Sequence, residues 1–127
     1  MANILICDDE KDIVSALRIY LTGENYQVFT SENGVQAIEV VEKEEIHLVL
    51  LDIMMPVMDG YQALVGIRNL EKAHNVPEEK QAKVIMATAL NDEKNVKMAF
   101  ELGCTVYSGK PIDQAKFEQA LQKLGMI

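Results

Sequence analysis

Leu48-Val49-Leu50-Leu51-Asp52 carries four consecutive apolar residues with no polar alternation, closed by a carboxylate. A strand wetted on one face alternates apolar and polar side chains. An unbroken apolar run instead suits a strand covered on both faces, as in a parallel sheet sheltered by helices. The apolar stretch reaches back only to Ile46, is interrupted by His47, and falls far short of the ~20 residues that cross a bilayer. Asp52 therefore stands at the carboxyl end of a buried strand.

The same unit repeats toward the N-terminus. Asn3 to Cys7 is a short apolar run ending abruptly in Asp8-Asp9-Glu10, which predicts a first strand emerging at a polar edge. From Lys11, the residues Ile13, Val14, Leu17, Tyr20 and Leu21 share one helical face, and Gly23 is placed to end that helix. Gln27 to Thr30 predicts a second strand. Asn33-Gly34 opens a helix with Ala37, Ile38 and Val41 on one face and Glu39, Glu42 and Lys43 on another, and Glu42 to Glu45 reads as its solvated end.

Beyond Asp52, Pro56 and Asp59-Gly60 mark a loop, and Tyr61, Leu64, Val65, Ile67 and Arg68 to Lys72 read as a third helix. The polar stretch from Ala73 to Lys83, with Pro77, reads as an extended surface loop. Val84 to Thr88 is a fourth strand. Asn91 caps a helix carrying Val96, Ala99, Phe100 and Leu102, and Gly103 ends it. Thr105 to Ser108 is a fifth strand, and Phe117, Ala120, Leu121 and Leu124 mark a final helix. Five strands alternating with five helices predict one α/β domain over residues 1–127, an open sandwich on a parallel sheet.

Composition narrows the function. The chain has 127 residues, 49% of them hydrophobic, with 12 Lys plus Arg against 20 Asp plus Glu for a net charge of -8. So much apolar content argues against disorder, and the missing basic cluster argues against direct nucleic-acid contact. No stretch predicts membrane insertion, and no basic segment precedes the first apolar run, so a cytoplasmic protein is expected. Cys7 and Cys104 lie far apart and in no metal-ligand spacing, which reads as two buried free thiols.

Sites in open α/β sheets collect at strand carboxyl ends. There the sequence places Asp8 and Asp9 after the first strand, Asp52 after the third, Thr88 after the fourth and Lys110 just past the fifth. Carboxylates crowded together repel, and a bound divalent cation relieves this. Oxygen-only donors favour Mg²⁺ or Mn²⁺ over zinc. With a lysine cation and a threonine hydroxyl beside them, these are the parts of a phosphoryl-transfer site, and Asp52 is the central candidate nucleophile.

At these residues the sequence resembles the receiver domain of bacterial two-component response regulators, over essentially its whole length. The matching pieces are Ile4-Leu5-Ile6-Cys7-Asp8-Asp9-Glu10, Leu50-Leu51-Asp52-Ile53-Met54-Met55-Pro56-Val57-Met58-Asp59-Gly60, Ala87-Thr88-Ala89 and Tyr107-Ser108-Gly109-Lys110-Pro111. The resemblance implies a flavodoxin-like sheet of order 2-1-3-4-5. It implies that Asp52 accepts a phosphoryl group from a sensor histidine kinase or phosphotransfer protein. Asp8, Asp9, Asp52 and the backbone carbonyl of Met54 would hold Mg²⁺. Thr88 and Lys110 would bind the phosphoryl oxygens, and Ala89 would leave room for access. Tyr107 would be the switch aromatic, and Lys110-Pro111 a cis peptide. The fourth helix, fifth strand and fifth helix would carry the change to a downstream protein target, with phosphorylation-dependent dimerisation left open. The resemblance implies no enzyme activity beyond the chain's own phosphoryl transfer and slow dephosphorylation.

Two positions depart from what many members carry. Met54 and Leu90, two residues beyond Asp52 and Thr88, are apolar where a polar group is common, which predicts hindered water attack and a longer-lived phosphorylated state. His47 and His74 match no motif position, and surface or packing roles are expected. Two competing functions stay on the table. A phosphatase of the aspartyl-phosphate type is disfavoured because Asp52 is followed by Ile53-Met54 rather than an Asp-x-Asp pair. A degenerate receiver that binds partners without phosphorylation is disfavoured by the joint presence of Asp9, Asp52, Thr88 and Lys110.

Overall fold

The computed structural model describes residues 2–55, 57–88, 93–109 and 112–126. Its strands are β1 (Asn3–Cys7), β2 (Gln27–Ser31), β3 (Leu48–Asp52), β4 (Lys83–Thr88) and β5 (Val106–Gly109). They alternate with α1 (Lys11–Gly23), α2 (Gly34–Lys43), α3 (Gly60–Ala73), α4 (Glu93–Glu101) and α5 (Gln114–Lys123). All four pairings are parallel and the order is β2-β1-β3-β4-β5, the flavodoxin-like arrangement.

The strand pleat divides the core into two layers. Leu5, Cys7, Val49, Leu51, Val84 and Met86 face one side and pack with Ala37 of α2, Ala63, Leu64 and Ile67 of α3, and Ala99 of α4. Ile4, Ile6, Leu48, Leu50, Ile85 and Ala87 face the other and pack with Leu17 and Leu21 of α1 and Phe117, Ala120 and Leu121 of α5. β3 lies in the middle of the sheet, and all five of its residues are buried. That accounts for its unbroken apolar sequence. Burying a large aliphatic side chain stabilises by about 1.5–3 kcal/mol, so this central strand anchors the segment that ends in Asp52.

Several local expectations change. Residues 73–83 are not all loop: α3 runs through Ala73, and Glu78–Lys80 form a single 3₁₀ turn behind Pro77. Gly23 is the last residue of α1, but the left-handed residue that turns the chain is Asn25 (φ 69°). Asn75 (φ 53°) does the same after α3. Asparagine tolerates this region because its short polar side chain bonds locally. Gly103 does close α4, with φ 106°. Of the apolar residues expected on this helix, Phe100 is 49% exposed and Leu102 falls beyond the helix end. Asn91, expected to cap that helix, lies outside the described residues.

Cys7 and Cys104 are free and buried. His47 is exposed, and its Nδ1 accepts the Asn3 backbone N–H at 2.9 Å, joining β1 to the start of β3.

Candidate functional site

β1 and β3 are neighbours with Cys7 opposite Leu51, so the residues that follow, Asp8 and Asp52, emerge side by side. Both are nearly inaccessible, at 4% and 2% exposure. Asp9 is exposed, and one carboxylate oxygen from each of the three lies within 4.8 Å of the others. Main-chain donors orient the two buried groups. Asp8 Oδ1 accepts the Glu10 N–H at 2.8 Å and Asp52 Oδ1 accepts the Met54 N–H at 3.3 Å.

The start of α3 holds this edge in shape. Asp59 and Gln62 form a reciprocal capping box, with the Asp59 side chain accepting the Gln62 N–H at 2.8 Å and Gln62 Oε1 accepting the Asp59 N–H at 3.1 Å. Gly60 donates its N–H to the Ile53 carbonyl at 2.9 Å. A Cβ at Gly60 would overlap the Asp52 carbonyl oxygen and would stand 2.7 Å from Ile53 Cα. The glycine is therefore required by close backbone approach rather than by turn geometry.

Two unit charges at such a separation repel by roughly 3 kcal/mol at an effective dielectric of about 20. An all-oxygen donor set of three carboxylates, two of them buried, fits a hard divalent cation of the Mg²⁺ or Mn²⁺ type and offers nothing to softer metals. Cys7 does not compete as nucleophile. Burial, reinforced by Asp8, Asp52 and Asp9, pushes its thiol up to about 12, so it stays protonated. Its Sγ lies within hydrogen-bond reach of two acceptors, the Asn33 carbonyl at 3.4 Å and Met55 Sδ at 3.3 Å, for its single proton.

The register also brings the backbone of Thr88 to this edge. Ala87 pairs with Asp52, and Thr88 is the next residue and the last of β4. Thr88 pairs with Gly109, the last residue of β5, and Lys110 follows it directly. Tyr107 pairs with Met86 and is half-buried against the α2–α3–α4 side of the core. The Thr88 side chain and residues Ala89, Leu90, Lys110 and Pro111, including the expected cis peptide, lie outside the described residues. Met54 is 64% exposed beside Asp52.

Sequence reasoning missed Val57, which is 83% exposed and holds φ at 70° in the loop leaving Asp52. A β-branched residue pays about 1–2 kcal/mol in that region, whereas Asn tolerates it. Val57→Asn should therefore raise stability by about 1 kcal/mol, read as a higher urea midpoint with unchanged slope. An unchanged midpoint would mean that the loop relaxes at no cost.

Residues 4–122 match the family model described as the response regulator receiver domain. The transcriptional regulatory protein SrrA of Staphylococcus aureus is 37% identical over 108 residues, which is 85% of this chain and 41% of that protein. The chain thus spans about two fifths of the length of the curated relatives it matches. Among solved structures, the CheX-CheY-BeF3-Mg²⁺ complex of Borrelia burgdorferi contains a chain of TM-score 0.86 and 32% identity, covering 98% of this chain and 89% of that one. The receiver domain of the sensor histidine kinase PA1611 from Pseudomonas aeruginosa PAO1, solved with magnesium coordinated in its active-site cleft, aligns with TM-score 0.78 at 27% identity, over 96% of this chain and 95% of that one.

Proposed function

Because the chain belongs to the response regulator receiver domain family, we propose that it is a phosphorylation-activated switch whose phosphoryl acceptor is Asp52. The observation that carries this reading is the convergence of Asp8, Asp9 and Asp52 to within 4.8 Å at the carboxyl edge of the sheet. A carboxylate oxygen of Asp52 attacks the phosphorus of a phosphohistidine on a sensor kinase or phosphotransfer protein. The P–N bond breaks, the imidazole leaves with its electron pair, and an acyl phosphate remains.

Asp8, Asp9, Asp52 and the Met54 carbonyl are the groups that would hold Mg²⁺, with Mn²⁺ as a substitute. When bound, such an ion offsets the carboxylate repulsion and the charge of the phosphoryl oxygens. Thr88 and Lys110 bind those oxygens, with Ala89 keeping the approach open and the Lys110-Pro111 peptide aiming the lysine. The new charge at Asp52 draws Thr88, Tyr107 turns inward, and the α4, β5 and α5 face changes its affinity for a downstream protein. Turnover is confined to the domain's own acyl phosphate. The domain works in the cytoplasm, and with a net charge of -8 it leaves any contact with DNA to other parts of a regulator. Among the described residues no helix is long and apolar enough to cross a membrane.

Incubation with acetyl phosphate and Mg²⁺ tests this by intact mass. One phosphoryl group should be gained, and chelation of the metal with EDTA should prevent the gain. Mg²⁺ alone should raise the unfolding midpoint, because a ligand that binds only the folded state stabilises it. No mass gain would sink the proposal in favour of the degenerate receiver, and repeated turnover of an unrelated phosphate ester would favour the phosphatase.

Met54 and Leu90 slow attack by water in this scheme. The Met54→Asn, Leu90→Glu protein should lose its phosphoryl group several-fold faster than the parent. Equal or slower loss counts against that role.

A further inference from the structure

Met54 differs from the other methionines among the described residues. It is 64% exposed, whereas Met98 is 37% exposed and Met86 fully buried. Met55 is half-buried with its sulfur 3.3 Å from Cys7 Sγ, and Met58 and Met126 are half-buried. Met54 is also tied to the phosphoacceptor, since its own N–H donates to Asp52 Oδ1 at 3.3 Å. The most accessible thioether of the described chain thus stands two residues from Asp52.

We propose that Met54 is a site of oxidative modification by hydroperoxides, and that its sulfoxide shortens the life of the phosphorylated state. This rests on Asp52 being the phosphoryl acceptor. In the modification step the Met54 sulfur attacks one peroxide oxygen, the O–O bond breaks, a sulfoxide forms and the second oxygen leaves as water. Sulfur is oxidised by two electrons and hydrogen peroxide is reduced. The thioether is apolar and a poor acceptor, so it orders no water beside the acyl phosphate. The sulfoxide oxygen is a strong acceptor that orients a water there, converting an apolar shield into a polar group. The change is reversible by methionine sulfoxide reductases, so it acts as a second input to the same switch.

The test treats the full chain with dilute hydrogen peroxide and follows it in two ways. Peptide mass mapping of the unphosphorylated protein should find the first added oxygen on Met54, ahead of Met98 and Met55. Prior oxidation elsewhere overturns the site. After phosphorylation with acetyl phosphate, the half-life of the phosphoryl group should fall several-fold on oxidation in the parent and in Met98→Leu. In Met54→Leu it should not change relative to that variant's own untreated value. An equal half-life before and after oxidation of the parent, or the same fall in Met54→Leu, overturns the effect on lifetime. If the untreated parent gains no phosphoryl group, the acceptor reading itself fails, and the lifetime effect fails with it. The mass map then still decides the site.

Discussion

Asp52→Asn protein is expected to gain no phosphoryl group from acetyl phosphate and Mg²⁺ under conditions in which the parent gains one. Asparagine keeps the side-chain oxygen that accepts the Met54 N–H, bonded at 3.3 Å in the parent, so the loop geometry survives while the nucleophilic carboxylate is lost. The same change removes one of three negative charges lying within 4.8 Å of one another. In EDTA the variant should therefore be more stable than the parent by about 1–2 kcal/mol, less than the full pairwise repulsion because exposed Asp9 is screened by water. Added Mg²⁺ should stabilise it less than the parent. Intact mass and thermal unfolding with and without Mg²⁺ read both effects. A variant that still takes up the group places the acceptor elsewhere, and one less stable in EDTA contradicts the crowding argument.

The second large effect lies at the opposite end of the sheet. Arg68 on α3 contacts Glu71 Oε1 at 2.6 Å and donates to the Ala82 carbonyl at 2.8 Å. It also donates to the Gly103 carbonyl at 3.1 Å from Nε and 2.8 Å from Nη2. Glu71, only 6% exposed, accepts the Ala82 N–H at 2.7 Å through its other oxygen. This pair staples α3 to the segments that enter β4 and leave α4. Truncating the arginine leaves a buried carboxylate without its cation, which costs about 3–5 kcal/mol. A domain whose total stability is about 5–15 kcal/mol loses a large fraction of it. Arg68→Ala should show this loss in urea denaturation, and the Arg68→Ala, Glu71→Ala double variant should lose less than the sum of the single changes. A loss below about 1 kcal/mol would mean that the pair behaves like an exposed one.

That network also shows where sequence reading reaches its limit. In the linear chain Arg68 and Glu71 are ordinary members of an amphipathic helix, and i, i+3 charge pairs are common on wet surfaces. Their burial arises because the segments at Ala82 and Gly103, distant in sequence, fold over them. Gly60 is similar: Asp59-Gly60 reads as a turn signal, whereas the structure requires the glycine because α3 begins against the backbone of Asp52. Asn25 and Asn75 carry the left-handed turns, at φ 69° and 53°. In the linear chain the nearby Gly23 is the stronger signal for the turn after α1.

Five strands, five helices and the parallel character of the sheet are legible in the linear chain, because apolar runs and helical periodicity report burial directly. The candidate carboxylates are legible there too, since strand ends are visible as abrupt changes from apolar to acidic residues. How close those carboxylates come is a property of the folded chain alone, because their separation depends on the register of β1 against β3 and on the packing of α3 behind Asp52. Exposure was decided there too. Met54 stands in solvent while Met55 meets Cys7, although the two are adjacent and chemically identical, because a loop's side chains are sorted by the surface beneath them and not by any period in the sequence.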